Sequence, residues 1–396
     1  MKNKKIYIAG AFDRYNYGDV LLPIILEKRL RAVGFNDIEF CSTKEADLSY
    51  CGGFKTIPLS SIYDKSKGST IILTGGDVIG ASIGTMFLHL SENKGKTFIL
   101  KVFRKILGNN IFNNLCSKYT KLDIFPWVID KEKFHCSSVI YNAVGATNAQ
   151  GLDSKSLKLI EHLMQKADYT SFRESYSQSL IKNIDSSVYP DSAISMSEFF
   201  SLEQLKQLST EKINDFVNKY KNQYICVQVN REYLKNKNLD EICKELIRVI
   251  NQGYKILLLP IGFAALHEDL HSLDLIYKSM ESKDVFLFDE ISIFEIMNLI
   301  ANSYFFAGTS LHGNITAMSY AVKHFCISRK MTKVIEFLNE WDIPEQQGYY
   351  ELSNLSDCVE KVKDIKEEDL LSNLEVLLKY SDDNFSNIVS AISKGE

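Results

Sequence analysis

The sequence predicts an α/β fold of two doubly wound, Rossmann-like domains, and three observations carry that prediction. The chain has 396 residues, too long for one typical domain and comfortable for two of about 150 to 200. From Lys5 to Asp191, short β-rich runs that end in glycine or polar loops alternate with helical stretches. The alternation restarts at Tyr224, after a polar helical connector over Leu202–Asn222. The expected domains are 1–200 and 201–396. A basic helical insertion at about 85–135 interrupts the first, and a helical tail able to return to the first ends the second.

In the first half, Lys5–Ala9 reads as a strand, followed by the loop GAFDRYNYGD and a helix over Val20–Val33 that Gly34 ends. Further strands fall at Asp37–Cys41 and Thr70–Thr74, the latter running into Gly75-Gly76-Asp77. Ser138–Val144 is a strand ending at Gly145, and Tyr169–Phe172 is a shorter one before Arg173-Glu174-Ser175 and a helix to Lys182. In the second half, strands at Tyr224–Val229, Lys255–Pro260 and Val285–Phe288 alternate with helices at Leu239–Asn251, His267–Ser279 and Ile291–Ala301. Tyr304–Ala307 is then a buried strand, Gly308–Gly313 a turn and Asn314–Val322 a helix. A helix through Leu338 follows Lys330 and Lys333, and a polar helical tail starts at Glu367.

Composition narrows the function. With 45% hydrophobic residues, 24% charged and a net charge of −4, the chain reads as an ordinary soluble protein with no basic excess for nucleic acid. Its eight cysteines lack CxxC spacing and several sit in apolar strand-like runs, which predicts reduced, buried thiols. The start MKNKKIYIAG meets Asp13 and Arg14 too soon for a signal peptide, and Gly75-Gly76-Asp77 breaks the most apolar window, Ser69–Leu90. A cytoplasmic location is the expectation.

The stretch Tyr304–Ile327 carries the sharpest chemical signal. A strand, a glycine turn and a helix start would bring backbone N–H groups and the positive end of a helix beside His312, with Gly313 offering no Cβ to an approaching anion. The plainer reading is a loop histidine next to an ordinary N-cap. Facing domains of this kind bind ligands in a cleft outside the carboxyl ends of their strands.

Six motifs in order carry a resemblance: NYGD at Asn16–Asp19, TGG at Thr74–Gly76, FRESYS at Phe172–Ser177, PDSA at Pro190–Ala193, SLHGNITA at Ser310–Ala317 and KVIEF at Lys333–Phe337. Together they resemble the polysaccharide pyruvyl transferase family over about Lys5–Pro344, and that family's fold is similar to the GT-B glycosyltransferases. The resemblance implies transfer of the enolpyruvyl unit of phosphoenolpyruvate (PEP) to a sugar as a pyruvate ketal, with release of phosphate and no cofactor or metal. The implied acceptor is a hexose such as galactose in a lipid-linked or polymeric surface glycan. Two departures bear on the donor: Ser310 stands where many members have Arg, and Asp77 where they have a third glycine. Loss of that Arg shifts donor recognition toward Lys333, Arg173 and main-chain amides.

The expected roles follow from the reaction. PEP carries a phosphate and a carboxylate, so cations and N–H donors are needed; Arg173, Arg231, Ser310, Gly313, Asn314 and Lys333 are assigned to the donor, with Arg329 nearby. His312 is assigned as acid or phosphate-side group, and Asp19 as the group that orients or deprotonates the acceptor hydroxyl. Asn16, Gly18 and Asp77 are assigned to the acceptor. Asp19 and Asp77 read equally as N-caps, and Arg173 as an ion-pair partner of Asp191. The rival functions are a sugar-nucleotide GT-B glycosyltransferase and a non-catalytic glycan-binding homologue; no acidic pair for a ribose lies beside residues 310–314.

The segment Lys94–Lys121 stands apart. It holds Lys94, Lys96, Lys101, Arg104, Lys105, Lys118 and Lys121 with no acidic residue. On a helix over Thr97–Leu107, Lys101, Arg104 and Lys105 share one face and apolar side chains cover the rest. Two readings stand: a helix packed on its own domain, or an interfacial helix on an anionic membrane at the inner face of the plasma membrane.

Overall fold

Strands buried along their whole length set the architecture of a computed structural model that describes residues 4–90, 94–264 and 268–394. By contact, the chain divides into a first unit of residues 1–192 with 264–266 and 380–396, and a second of residues 193–263 with 267–379.

The first unit contains an eight-stranded sheet. Its strands are β1 (Ile6–Ala9), β2 (Ile38–Ser42), β3 (Ala46–Asp47), β4 (Lys55–Pro58), β5 (Thr70–Thr74), β6 (Ser138–Val144), β7 (Tyr169–Phe172) and β8 (Ser187–Val188), in the order β3-β4-β2-β1-β5-β6-β7-β8. All neighbours pair parallel except the edge pair β3 and β4. Strand side chains alternate faces, so Tyr7, Ile71 and Val139 enter one core while Ile6, Ile8, Ile72 and Ile140 enter another. That two-sided burial is why helices cover both faces. The helices of this half are α1 (Tyr17–Ala32), α2 (Ile83–His89), α3 (Lys94–Thr120), α4 (Lys131–Phe134), α5 (Ser154–Met164) and α6 (Ser175–Leu180).

The second unit contains a five-stranded parallel sheet of β9 (Tyr224–Gln228), β10 (Lys255–Leu258), β11 (Val285–Leu287), β12 (Phe305–Gly308) and β13 (Lys323–Cys326), ordered β11-β10-β9-β12-β13. Its helices are α7 (Met196–Phe199), α8 (Leu202–Leu208), α9 (Glu211–Tyr220), α10 (Leu239–Asn251), α11 (Leu270–Lys278), α12 (Ile293–Ala301), α13 (Leu311–Ser319), α14 (Thr332–Trp341) and α15 (Leu355–Lys363). The last helix, α16 (Glu367–Lys394), begins in this unit and ends on the first, where Ile388, Ala391 and Ile392 pack with Ile6, Ile8, Leu26 and Leu30.

Several elements differ from expectation for local reasons. The connector over Leu202–Asn222 is two helices, split where the Glu295 carboxylate accepts Thr210 N–H at 3.0 Å and Thr210 Oγ1 at 2.6 Å. The helix expected at His267 begins at Leu270; His267 itself lies outside the described residues. The helix expected at Asn314 begins three residues earlier, at Leu311. The basic helix is longer than Thr97–Leu107 and is broken at Gly108, whose φ of 76° no helix contains. All eight cysteines are buried and unbridged.

Candidate functional site

Parallel strands of the second unit end level with one another, with Gly308 opposite both Gln228 and Cys326. The segments leaving β9, β12 and β13 therefore emerge along one carboxyl edge, where open α/β sheets bind ligands. Asn230 and Arg231 leave β9, Ser310 and His312 leave β12, and Arg329 to Lys333 leave β13. The sequence assignments Arg231, Ser310, His312, Gly313, Asn314 and Lys333 are brought together along this edge.

The edge is built around the start of α13. Ser310 is its N-cap, and Ser310 Oγ accepts the Gly313 N–H at 3.2 Å. Leu311, His312 and Gly313 are therefore the first helical turn and not part of the preceding loop. The Gly313 N–H expected to face an anion is consumed by the cap. Its missing Cβ serves packing: a Cβ there would come within 2.3 Å of the Phe306 ring and 3.0 Å of Ile261 Cδ1. Asn314 is fully buried, and its amide donates to Ser310 O at 2.7 Å and Gly308 O at 3.3 Å, tying the helix to its strand.

His312 remains half-buried in that first turn, at the positive end of the helix dipole. Lys333 is exposed in the first turn of α14, which packs on α13, and has no partner among the described residues. Arg329 is likewise exposed in the segment before it. Arg231 is engaged, its guanidinium paired with Glu268. Arg329, Lys330 and Lys333 are thus the exposed cations at this edge.

Two residues that sequence reasoning missed hold the turn from beneath. Gln228, at the end of β9, accepts the Ser310 N–H at 2.8 Å and the Thr309 hydroxyl at 3.2 Å. Its amide donates at 2.8 Å to Asp269 Oδ2, which also accepts Gly262 N–H at 2.8 Å and Ile261 N–H at 3.1 Å. Burial pushes the Asp269 carboxyl up to about 7, against the pull of these donors. The native protein thus keeps a proton that the unfolded chain releases near the ordinary value of 3.8. The stability this proton confers is complete below about pH 4, declines as pH rises and is gone above about pH 7. Asp269→Asn, which keeps one acceptor oxygen, is expected to flatten that decline in urea denaturation midpoints taken from pH 4 to 8. An unchanged slope would remove Asp269 as its source.

In the first unit, the carboxyl edge carries the other assignments. Asn16 is the N-cap position of α1, and its amide donates at 2.8 Å to Asp19 Oδ2 in the first helical turn, where a carboxylate meets the positive dipole end. Asp19 is partly exposed, and Gly18 is buried beside it. Gly75 and Gly76 both adopt left-handed φ, 52° and 72°, which an L side chain resists. A Cβ at Gly76 would also come within 3.1 Å of Asp19 Oδ1, so the carboxylate lies over the bare glycine backbone.

Asp77 faces inward: Oδ1 accepts Thr147 N–H at 2.8 Å, Oδ2 accepts the Thr147 hydroxyl, and its carbonyl accepts the Asn148 amide at 2.5 Å. It fastens two strand-end loops together. Arg173 is fully buried, its Nε 2.9 Å from Glu174 Oε2 and Nη1 3.8 Å from Asp191 Oδ2. Burial lowers its affinity for the proton, but Glu174, Asp77 and Asp191 more than reverse that. The geometry is the Asp191 ion pair weighed from sequence, and it points the guanidinium away from solvent.

Arg14, in the loop after β1, was not singled out by sequence. Its side chain is largely buried, with Nε 3.0 Å from Asp13 Oδ1 and Nη2 3.4 Å from Met86 Sδ, while Nη1 has no partner among the described residues. A cavity of about 780 Å³ also lies in this unit, lined by Asn109, Asn110, Asn113, Asn114, Asn148 and Phe125 among others. Its amides offer both donors and acceptors of the kind sugar hydroxyls use. No group of three or more His, Cys, Asp or Glu side chains assembles into a metal-ligating cluster among the described residues.

Solved structures with a similar course of chain include S. aureus MnaA in a co-structure with UDP, at 14% identity and a TM-score of 0.54 over 94% of this chain and 90% of that one. The UDP-GlcNAc 2-epimerase from Neisseria meningitidis bound to UDP-GlcNAc matches at 12% and 0.54 over 99% and 100%. The UDP-N-acetylglucosamine 2-epimerase from Rickettsia bellii matches at 11% and 0.53 over 100% and 98%. At such identities the likeness is one of fold, GT-B-like in both units. No curated protein matches the sequence. The family pattern of polysaccharide pyruvyl transferases does match, over residues 16–331, a span that includes the TGG turn, Arg173, the Ser310 cap and His312. The chain belongs to the polysaccharide pyruvyl transferase family.

Proposed function

We propose that the protein transfers the enolpyruvyl unit of PEP to two hydroxyls of a sugar, closing a pyruvate ketal and releasing phosphate. The acceptor is a hexose such as galactose in a lipid-linked or polymeric surface glycan of the capsule or exopolysaccharide kind. The observation that carries this reading is the second unit's carboxyl edge: the start of α13 with His312, beside the exposed Lys333 and Arg329, in a member of this family. A phosphate and a carboxylate on a three-carbon donor suit a helix N-terminus flanked by separate cations.

In the reaction, one hydroxyl gives up its proton as its oxygen bonds to C2 of PEP, while C3 takes a proton and becomes a methyl group. A second hydroxyl oxygen then bonds to C2 as the C2–O bond to phosphate breaks, and the second hydroxyl proton leaves with phosphate. His312 is the acid on the donor side, and Asp19 holds or deprotonates the acceptor hydroxyl. Half-buried Asp77 and buried Asn314 and Arg173 act on these groups through the backbone they fix, and Arg231 through its pair with Glu268.

Lys333→Ala is expected to raise the KM for PEP about tenfold or more, with kcat and acceptor KM little changed, because one cationic contact to an anion is lost. Initial rates of phosphate release against PEP and acceptor concentration measure this; an unchanged PEP dependence would make Lys333 a surface residue only. Two of these fold neighbours, S. aureus MnaA and the Neisseria meningitidis epimerase, hold UDP or UDP-GlcNAc, so sugar nucleotides are the rival donors. Calorimetric titration of the protein with PEP and with UDP-sugars tests the choice, and binding of UDP-sugars without PEP would overturn the proposal.

A further inference from the structure

Surface helices ordinarily bury their apolar stripe and show water their polar one. The first segment of α3, before the break at Gly108, does the reverse. Thr97 is buried, and Leu100, Arg104 and Leu107 are half-buried along the packed side. Phe98 is 67% exposed, Ile99 55%, Phe103 54% and Ile106 75%. At about 100° per residue these four and Val102 span one continuous arc diametrically opposite the packed side. Lys101 and Lys105, both exposed and without partners among the described residues, border that arc.

An arc of this size in water marks a surface that something covers. Charge selects the occupant. Residues 94–121 hold seven Lys and Arg and no Asp or Glu. A second copy of the chain, joined face to face, would set this basic patch against itself, which is repulsive. An anionic lipid surface complements both features, since it takes aromatic and branched side chains into the headgroup boundary and lysines at the phosphates. No helix among the described residues is long and apolar enough to cross a membrane, so the helix would lie on the surface.

We propose that the Phe98–Ile106 face of α3 is a membrane-docking surface that seats the first unit on anionic phospholipid. This inference stands independently of which donor the protein uses. The amide-lined cavity is bordered by Arg104 on the packed side of this segment and by Asn109 and Asn113 beyond the break at Gly108.

The test is co-sedimentation of the full chain with vesicles of phosphatidylglycerol and phosphatidylcholine, or of phosphatidylcholine alone, at low and high salt. Wild type is expected to bind the anionic vesicles about tenfold or more tightly than the neutral ones, and to release as salt rises. The variant Phe98→Ser/Phe103→Ser/Ile106→Ser and the variant Lys101→Glu/Lys105→Glu are each expected to lose about tenfold or more of that binding. Both alter exposed side chains, and circular dichroism checks that the fold is kept. Absence of wild-type binding, equal binding to neutral vesicles, or retention of binding by the triple serine variant would overturn the proposal. So would a wild-type dimer in light scattering that the serine variant converts to monomer, since the face would then belong to a second copy.

Discussion

His312→Ala is expected to lower turnover by a factor of roughly 10² to 10⁴ while leaving the melting temperature nearly unchanged. The two halves of that expectation have separate causes. Turnover falls because general acid catalysis needs a titratable group within hydrogen-bond reach of the reacting carbon or leaving oxygen, and alanine supplies none. Stability holds because the half-buried His312 side chain is not what starts the helix: Ser310 caps it, and the contact from the Thr316 hydroxyl, at 2.7 Å, is made to the His312 backbone carbonyl. PEP-dependent phosphate release and a thermal melt on the same preparation measure both. Turnover within a fewfold of wild type would remove His312 from the chemistry, whereas a large drop in melting temperature would make it a packing residue.

Arg173 gives the opposite pattern. Arg173→Ala is expected to cost about 3–5 kcal/mol of stability, because it strands Glu174 and Asp191 as buried carboxylates without their cation. Burial already raises the Glu174 carboxyl above its usual range, and Arg173 is the main group opposing that. The space around the guanidinium is equally specific, since a Cβ at Gly145 would come within 2.6 Å of Arg173 Nη2. Urea denaturation of Arg173→Ala, Glu174→Gln and the double variant forms a cycle. The double variant should recover part of the loss, because neutralising Glu174 removes one uncompensated charge. If Arg173→Ala unfolds like wild type but raises the KM for PEP, the donor role assigned from sequence is the correct one.

The contrast between these residues shows what a sequence can reveal. β5, β6, β7 and α10 were legible to the residue, because these strands are short runs rich in β-branched, aromatic and other apolar residues that stop at polar or glycine loops, and α10 has a full amphipathic period behind its Asn238 cap. The two-residue edge strands β3 and β8 were not, being shorter than any periodicity can register. The start of α13 was misplaced because a glycine at the third helical position looks like loop; only the Phe306 ring, on the preceding strand, explains it. Asp269 was invisible for a related reason. Its partner Gln228 is 41 residues away, and only the pairing of β9 with its neighbours brings the two together. Arg173 was assigned to the donor or to a pair with Asp191, but neither its full burial nor its Glu174 partner was foreseen, since adjacent opposite charges carry no mark of burial.

The helix α16 has a consequence for how the protein is made. Residues near its end supply part of the core under β1, β5 and β6, and Arg29 of α1 pairs with Asp382 and donates to the Ser381 hydroxyl at 2.8 Å. Residues 1–192 therefore leave the ribosome with one sheet face covered only in part, by Leu26, Leu30 and their neighbours, and the rest waits until some 200 further residues have been added. At about 5–20 residues per second, that interval is on the order of tens of seconds. During synthesis the unit that emerges first is the last to be finished, so nascent chains and truncations before α16 leave the part of this core that Ile388, Ala391 and Ile392 cover open to chaperones and to one another.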